Sequence, residues 1–202
     1  MNRRILAFLV AAAVAAGCHA QGFFSSWNDL QFSKSWTDTY VSLRVENRTS
    51  DCWFVRPMVG YRFTPWLRGD VAYDFLRTES DVDHHRALFS LTGTMRKGLL
   101  TASWRERYVF DLSYDSDSRS LVNPSQVLRS QLRVQCDVPD TPLSPYVAVE
   151  VFSWERWQKT RHYVGSLVAL NAHHAADLYY LYYTFADAEP RHVFGVGYSY
   201  SF

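Results

Sequence analysis

Apolar and polar residues alternate along much of this chain of 202 residues. In residues 41–46 the apolar side chains fall on one parity, while Ser42, Arg44 and Glu46 fall on the other. The same two-residue period recurs in residues 67–75, 128–135 and 194–202. Successive side chains of a β-strand point to opposite faces, so this period is typical of strands with one apolar and one polar face.

The alternating segments are long. The pattern predicts strands near residues 36–47, 52–62, 66–77, 85–96, 99–111, 127–138, 145–154, 160–170, 177–185 and 191–202. Most run for about 10 to 13 residues, whereas strands of soluble sandwiches usually have about 5 or 6. A tilted strand needs about 10 residues to cross a bilayer. The sequence therefore predicts an all-β fold, an antiparallel transmembrane β-barrel of about ten strands (range roughly 10–12).

The connections between these strands alternate in character. Compact turns, most marked by Pro or Gly, are predicted at residues 63–65, 97–98, 138–144 and 171–175, and polar loops lie between them, the longest at residues 78–84 and 111–126. An even number of strands places both chain ends on the short-turn, periplasmic side. Residues 36–202 are therefore assigned to the barrel domain, and residues 21–35 to an N-terminal leader or partial strand, because an eleventh strand would break this parity.

Residues 1–20 have the composition of an export signal. Arg3 and Arg4 precede an apolar run over residues 5–16, and small residues follow. The run is shorter than the roughly 20 residues of a spanning helix. Cleavage after Ala20 is favoured over cleavage before Cys18, which would produce a lipoprotein.

Composition narrows the function classes. The chain is 48% hydrophobic and 20% charged, with a formal net charge of +1, so it gives no electrostatic reason to expect a nucleic-acid partner. After residue 20 no apolar stretch is long enough for a helical membrane protein. Aromatic residues make up 16% of the chain, and four tryptophans lie at predicted strand ends, as expected for an interfacial girdle: Trp36, Trp53, Trp66 and Trp154.

Charged residues share the polar parity of four successive predicted strands and should point into the barrel. They are Arg105, Arg107, Arg129, Arg133, Glu150 and Arg161. A charge facing lipid at the midplane costs roughly 2 to 4 kcal/mol, so an inward ladder is the cheaper arrangement. We expect an interior ion-pair network in which Glu150 pairs with arginines such as Arg133 or Arg161; the functional alternative is a charged constriction that selects solutes. Glu106 breaks the pattern by facing outward.

From about Trp104 to its end the chain resembles an uncharacterised family of bacterial outer-membrane β-barrel proteins, known only as a domain of unknown function. The segments that carry the resemblance are residues 105–107, 131–134 and 145–152, Arg161 with Gly165, residues 178–185 and the closing residues 192–202. The order of these segments is more specific than any one of them. The resemblance implies a barrel in the bacterial outer membrane, and it implies no activity.

The last predicted strand resembles the C-terminal signature by which bacterial barrel proteins are recognised for insertion. Its aromatic residues are Tyr198, Tyr200 and Phe202. We therefore expect the barrel assembly machinery and outer-membrane lipids as partners, and a monomer as the folded state.

The histidines raise an enzymatic alternative, a membrane-embedded hydrolase or acyltransferase. Asp83, His84 and His85 are predicted in an outer loop, with Ser80, Ser90 and Ser118 as candidate nucleophiles. A catalytic triad is defined by geometry, and none of these serines has a distinguishing sequence context. His173 and His174 fall on the opposite, periplasmic side, and adjacent strand residues point to opposite faces, which suits metal chelation poorly. No catalytic residue, metal or cofactor is predicted.

Three functions follow from these observations. The first is an outer-membrane barrel with a structural or binding role and a largely occluded polar lumen; the second is a narrow channel for ions or small solutes; the third is the enzyme. The strand directions also place Cys52 near the outer rim and Cys136 near the periplasmic rim. The two rims are separated by most of a hydrocarbon layer that is about 25 Å tall. This distance is too great for a disulfide between the two cysteines.

Overall fold

The structure is a computed structural model that describes residues 24–49, 52–78, 82–115 and 120–202. Within these ranges the chain forms eleven β-strands: β1 Phe24–Ser35, β2 Thr39–Arg48, β3 Cys52–Thr64, β4 Leu67–Thr78, β5 Val82–Lys97, β6 Leu100–Asp115, β7 Leu121–Cys136, β8 Leu143–Trp154, β9 Arg156–Ala169, β10 His174–Phe185 and β11 Arg191–Ser201. The described residues contain no helix long and apolar enough to cross a bilayer. The export signal predicted at residues 1–20 lies outside the described ranges.

The strands close into a barrel in which each strand pairs with its neighbours in sequence. Strands β1 to β11 pair antiparallel in succession, and closure comes from β1 beside β11. This last pair is parallel, with Phe24 opposite His192 and Ser33 opposite Ser201. A barrel with an odd number of up-and-down strands must contain one parallel pair, because its first and last strands run in the same direction.

The all-β barrel predicted from sequence is confirmed, and its strand count is corrected. Residues 21–35, expected to be a leader or partial strand, contain the full strand β1. The expectation rested on even parity, which holds only when every pair is antiparallel. Because β1 runs in the same direction as β11, its start lies at the opposite end of the barrel from the end of β11.

The connections at the two ends of the barrel are similar in length, so the expected contrast between compact turns at one end and longer loops at the other is wrong, because the strands extend into the predicted loops. We call the end with the predicted compact turns the turn end and the opposite end the loop end. At the turn end, short connections join β1 to β2, β3 to β4, β5 to β6, β7 to β8 and β9 to β10. One of the two tightest is the two-residue turn of Gly98 and Leu99, in which Gly98 has a φ of 59° that suits a residue without a Cβ. At the loop end, β8 and β9 are separated by Glu155 alone.

The hairpin of β6 and β7 is longer than predicted. Residues 111–126 were assigned to a loop because they are polar, yet most of them extend the two strands. Asp111 and Ser113 are buried and face the interior, where polar side chains find partners. A register shift between them places Pro124 at an irregularity, the position at which a strand tolerates proline.

The outer surface of the barrel is apolar. Large exposed side chains such as Val59, Val71, Phe89, Leu132 and Val164 cover it. The four predicted girdle tryptophans are all exposed, Trp36 and Trp66 at the turn end and Trp53 and Trp154 at the loop end. The apolar parity of the strands therefore faces outward and the polar parity inward, the reverse of a soluble barrel.

Two small apolar clusters and several aromatic rings pack within the barrel. One cluster joins Trp27, Leu181, Tyr183 and Val193 across the β1–β11 seam. The other joins Ala72, Leu88 and Val109 along β4, β5 and β6. These clusters are partial, so most of the interior surface is left to polar groups.

The two cysteines among the described residues lie at opposite ends of the barrel, as predicted. Cys52 begins β3 at the loop end, and Cys136 ends β7 at the turn end. They form no disulfide with each other.

Candidate functional site

The interior of the barrel holds a network of arginines and carboxylates, and Glu150 on β8 is at its centre. This side chain is only 1% exposed. Its Oε1 accepts hydrogen bonds from Arg105 at 2.9 Å and from Arg129 at 2.8 Å, and its Oε2 accepts one from Arg161 at 3.3 Å. The hydroxyl of Tyr163 donates to Oε2 at 3.4 Å. One carboxylate thus joins four strands, β6 to β9.

The two remaining arginines of the predicted set face the interior without contacting Glu150. Arg107 is buried, donates from Nε to Ser90 at 2.8 Å and lies 3.8 Å from Asp70. Arg133 stacks on Tyr146, with its guanidinium carbon 3.6 Å from the ring centre, and donates to Gln135 at 3.1 Å. The expectation that Glu150 would pair with an arginine such as Arg133 or Arg161 therefore holds for Arg161 and not for Arg133, whose guanidinium contacts the Tyr146 ring and the Gln135 amide.

A second carboxylate centre on β1 and β2 was missed at the sequence level. Glu46 is 2% exposed and bonds Arg44 at 2.9 Å and Arg48 at 2.5 Å. Arg44 also bonds Asp29 at 3.1 Å. The signal for Arg44 and Glu46 was present in the alternation of residues 41–46, whereas Asp29 was hidden because its segment was not assigned to a strand.

A third ion pair lies on β3 and β4. Arg56 bonds both carboxylate oxygens of Asp74, at 2.5 and 2.7 Å, in the two-pronged geometry that the planar guanidinium favours. Asp70, also on β4, accepts a hydrogen bond from the Tyr40 hydroxyl at 3.3 Å. Gly60 on the intervening strand β3 is opposite both Tyr40 and Asp70, and because glycine has no Cβ there is room for the Tyr40 ring.

Aromatic rings hold some of these cations from the loop-end side. The Arg161 guanidinium lies 4.8 Å from the Trp27 ring centre and 4.6 Å from that of Phe152. The Arg48 guanidinium also contacts the Trp27 ring, at 4.1 Å from the ring centre. Such stacking satisfies a guanidinium without cancelling its charge.

The interior side chains leave three adjoining cavities along the barrel. The central cavity has a volume of about 380 Å³, the turn-end cavity about 310 Å³ and the loop-end cavity about 470 Å³. Arg56 lines all three. Water-sized space therefore continues through much of the interior.

Positive charge exceeds negative charge around the central cavity. Among the described residues that line it, nine are arginines and four are acids. The arginines are Arg44, Arg48, Arg56, Arg68, Arg105, Arg107, Arg129, Arg133 and Arg161, and the acids are Asp29, Glu46, Glu150 and Asp177. The cavity is therefore electropositive, although the whole chain is close to neutral.

Glu106, expected to face outward, lies on the outer face of β6. Its carboxylate accepts hydrogen bonds from Trp104 Nε1 at 2.8 Å and from Ser130 Oγ at 2.5 Å. Both donors are also on the outer face, so this polar group is satisfied locally.

The C-terminal aromatic residues lie along the outer face of β11. Tyr198 bonds His174 of β10, and Tyr200 packs against Phe202 with ring centres 4.6 Å apart. The Phe202 amide donates to the Ser33 carbonyl at 2.9 Å, which continues the parallel pairing with β1. The edge of β11 is therefore covered in the closed barrel.

The histidines singled out in the sequence do not form a catalytic relay among the described residues. His84 and His85 lie within β5 and not in a loop, and they face opposite sides. The Nδ1 atom of His84 contacts both Ser113 Oγ at 2.8 Å and Asp111 at 3.1 Å. A serine–histidine–aspartate relay needs the two partners on different ring nitrogens.

The other candidates for chemistry are dispersed. His85 bonds Tyr73 on the outer face, and Ser90 is engaged by Arg107. His173 bonds the Ser201 carbonyl at 2.8 Å at the turn end. Ser80 and Ser118 lie outside the described residues, and in the described ranges no group of three or more His, Cys, Asp or Glu side chains is arranged to hold a metal ion.

Comparison with known proteins finds a similar barrel of known structure and a matching protein family. Among solved structures it is similar to one described as the NanC porin structure in a rhombohedral crystal form, with 12% sequence identity, a TM-score of 0.53, and coverage of 75% of this chain and 78% of that chain. At this identity the likeness concerns the fold. No curated protein matches the chain. A family model described as a protein of unknown function (DUF2490) matches residues 24–193, from the first residue of β1 into β11. The chain therefore belongs to the DUF2490 family of proteins of unknown function.

Proposed function

We propose that this protein is an integral outer-membrane β-barrel whose lumen is a narrow pore that prefers anions. The apolar outer surface, the tryptophans at both ends and the export signal predicted at residues 1–20 support the membrane location. The likeness to a porin structure supports a pore in a barrel of this kind.

The surplus of arginine around the central cavity carries the preference for anions. Rings of Arg or Lys select anions because they offer charge-assisted hydrogen bonds and raise the local anion concentration. Glu150 and Glu46 neutralise part of this charge and fix the arginine positions, while guanidinium groups without a carboxylate partner in the described ranges, such as that of Arg133, line the cavity.

An occluded barrel with a structural or binding role is the second candidate. The contacts of Arg48 and Arg161 with Trp27 narrow the interior between the central and the loop-end cavities, both of which these residues line. A catalytic role has less support, because Ser113 and Asp111 share one nitrogen of His84.

Ion selectivity in planar bilayers tests the proposal. The refolded full chain should conduct, and its reversal potential in a KCl gradient should show a higher permeability for chloride than for potassium. Arg133→Gln should lower this preference, because Arg133 lines the central cavity and has no carboxylate partner among the described residues. Arg156→Gln is the matched control, since its side chain is 81% exposed at the loop end.

A preference for potassium would contradict the anion pore. Folded protein that never conducts would favour the occluded barrel instead.

A further inference from the structure

The turn-end cavity contains a group of arginines that the ion pairs of the barrel do not neutralise. Arg62 on β3 lies directly opposite Arg68 on β4, and both line this cavity. Neither forms an ion pair with any described residue. Like charges directly opposite on neighbouring strands destabilise a sheet, so this pair needs a compensating partner.

The residues opposite this arginine pair on the next two strands also donate hydrogen bonds. Arg68 is opposite Thr92 on β5, and Thr92 is opposite Arg105 on β6. Thr92 is 4% exposed, and its hydroxyl has no hydrogen-bond partner in the structure. A buried hydroxyl without a partner costs free energy, and an anion in the cavity would supply an acceptor.

Arg107 lies deeper on the same wall. It is 5% exposed, and the nearest carboxylate, on Asp70, is 3.8 Å away, longer than a hydrogen bond. Asp70 is also the one acidic residue among the described residues that line the turn-end cavity. The charge of Arg107 is therefore only partly compensated.

The charge balance sets the valence of the missing partner. The other arginines of this cavity contact carboxylates: Arg56 pairs with Asp74, Arg44 with Asp29 and Glu46, and Arg105 shares Glu150 with Arg129 and Arg161. Arg62, Arg68 and Arg107 face Asp70 alone, so at least two positive charges remain without a partner among the described residues.

We propose that the turn-end cavity is a binding site for a small dianion whose charges lie on oxygen atoms, such as phosphate or a short dicarboxylate. Arg62 and Arg68 are exposed at its mouth and receive the anion, and Arg107 and the Thr92 hydroxyl hold it deeper in the cavity. A volume of about 310 Å³ accommodates an ion of this size with water. Guanidinium groups match such oxyanions because they donate two parallel hydrogen bonds.

This inference rests on the proposed function for its role in transport, whereas the binding step can be measured without conduction. We would titrate the folded full chain in detergent with inorganic phosphate at about pH 8, where phosphate oxygens carry close to two charges. Succinate, acetate and nitrate would be titrated at the same ionic strength. Phosphate or succinate should bind more tightly than the two monovalent anions, and the stronger of the two identifies the ligand chemistry.

Two variants should move the affinity in opposite directions. Arg68→Gln should weaken dianion binding about tenfold or more, the loss expected for one charge-assisted hydrogen bond. Asp70→Asn should strengthen binding, because it removes the competing carboxylate and leaves an acceptor for the Tyr40 hydroxyl. Arg133→Gln removes the same charge from the lumen outside this cavity and should leave the dissociation constant nearly unchanged.

The results separate the two proposals. Selective dianion binding by a barrel that does not conduct would retain the site and reject the pore. Equal binding of monovalent and divalent anions, or equal weakening by Arg68→Gln and Arg133→Gln, would overturn the site while leaving anion selectivity intact. If Arg68→Gln fails to fold, a failure of Asp70→Asn to strengthen binding would also overturn it.

Discussion

Glu150 joins the guanidinium groups of Arg105, Arg129 and Arg161 in an interior where water is scarce around the carboxylate. A buried carboxylate with several arginines is stable only while all partners are present. Removing the carboxylate leaves three like charges close together, each already taken out of bulk water. The position of one acid therefore controls the stability of four strands.

Glu150→Gln should destabilise the barrel by about 3 to 5 kcal/mol, because it leaves buried arginines without their counter-charge. This change is measured by heating the refolded variant and monitoring its unfolding as the loss of the compact form on a gel. Freed arginines should also raise the single-channel conductance for anions.

Asp187→Asn is the control for Glu150→Gln. Its carboxylate is 82% exposed and lies 4.0 Å from Arg156, so its loss should change stability by no more than about 0.5 kcal/mol. If Glu150→Gln matches this control in both stability and conductance, the interior network has no energetic role.

At the scale of elements, strand β1 decides how the barrel closes. It separates β2 from β11 and pairs with both, antiparallel to β2 and parallel to β11. Without β1, the neighbours β2 and β11 would run in opposite directions and could close an even-stranded barrel directly. Interior contacts favour the placement of β1 between β2 and β11. Trp27 packs against Leu181 and Val193, and Asp29 bonds Arg44.

A cysteine pair tests this closure. In a chain whose own cysteines are replaced by serine, Ser33→Cys with Ser201→Cys should form a disulfide, because the two residues are opposite each other and their hydroxyl oxygens are 3.0 Å apart. Mass spectrometry of the unreduced, folded protein measures the crosslink.

The matched control moves one cysteine to the next strand. Ser42 is opposite Ser33 on β2, so Ser42→Cys with Ser201→Cys places the thiols two strands apart. Two strand spacings are about 9.5 Å, beyond the roughly 7 Å between α-carbons that a disulfide allows. A crosslink in this pair and none in the first would place β2 directly beside β11.

At the scale of the whole molecule, the surface is reversed relative to a soluble protein. Apolar side chains face outward along most strands, and the buried charges are held inside. Such a surface is stable when lipid covers it, which is why the location and the fold are linked.

The expressed chain should therefore fractionate with the outer membrane, and the folded form should migrate differently on a gel before and after boiling. The boiled sample is the unfolded reference, and a soluble periplasmic protein is the fractionation control. Recovery of the folded chain as a soluble monomer without detergent would contradict the membrane location.

The strand pattern was readable from sequence because it is local. Alternation in residues 67–75 or 128–135 depends only on which face each side chain occupies, and the structure places strands β4 and β7 there. The same parity directed Arg105, Arg129, Glu150 and Arg161 to one interior. The pattern misled at residues 111–115 and 121–126, which extend β6 and β7, and where polar residues such as Asp111 and Ser113 line the interior.

Only the tertiary structure decided the closure and the partners within the lumen. Ser33 and Ser201 are 168 residues apart, and no local pattern records that their strands run parallel. Likewise, parity directs Arg133 inward, but the stacking on Tyr146 and the choice of Arg129 for Glu150 depend on positions across several strands. The sequence by itself determined which face each residue takes, because that follows from the two-residue period of a strand. Which groups then meet depends on strand order and register, which are set by the closed barrel as a whole.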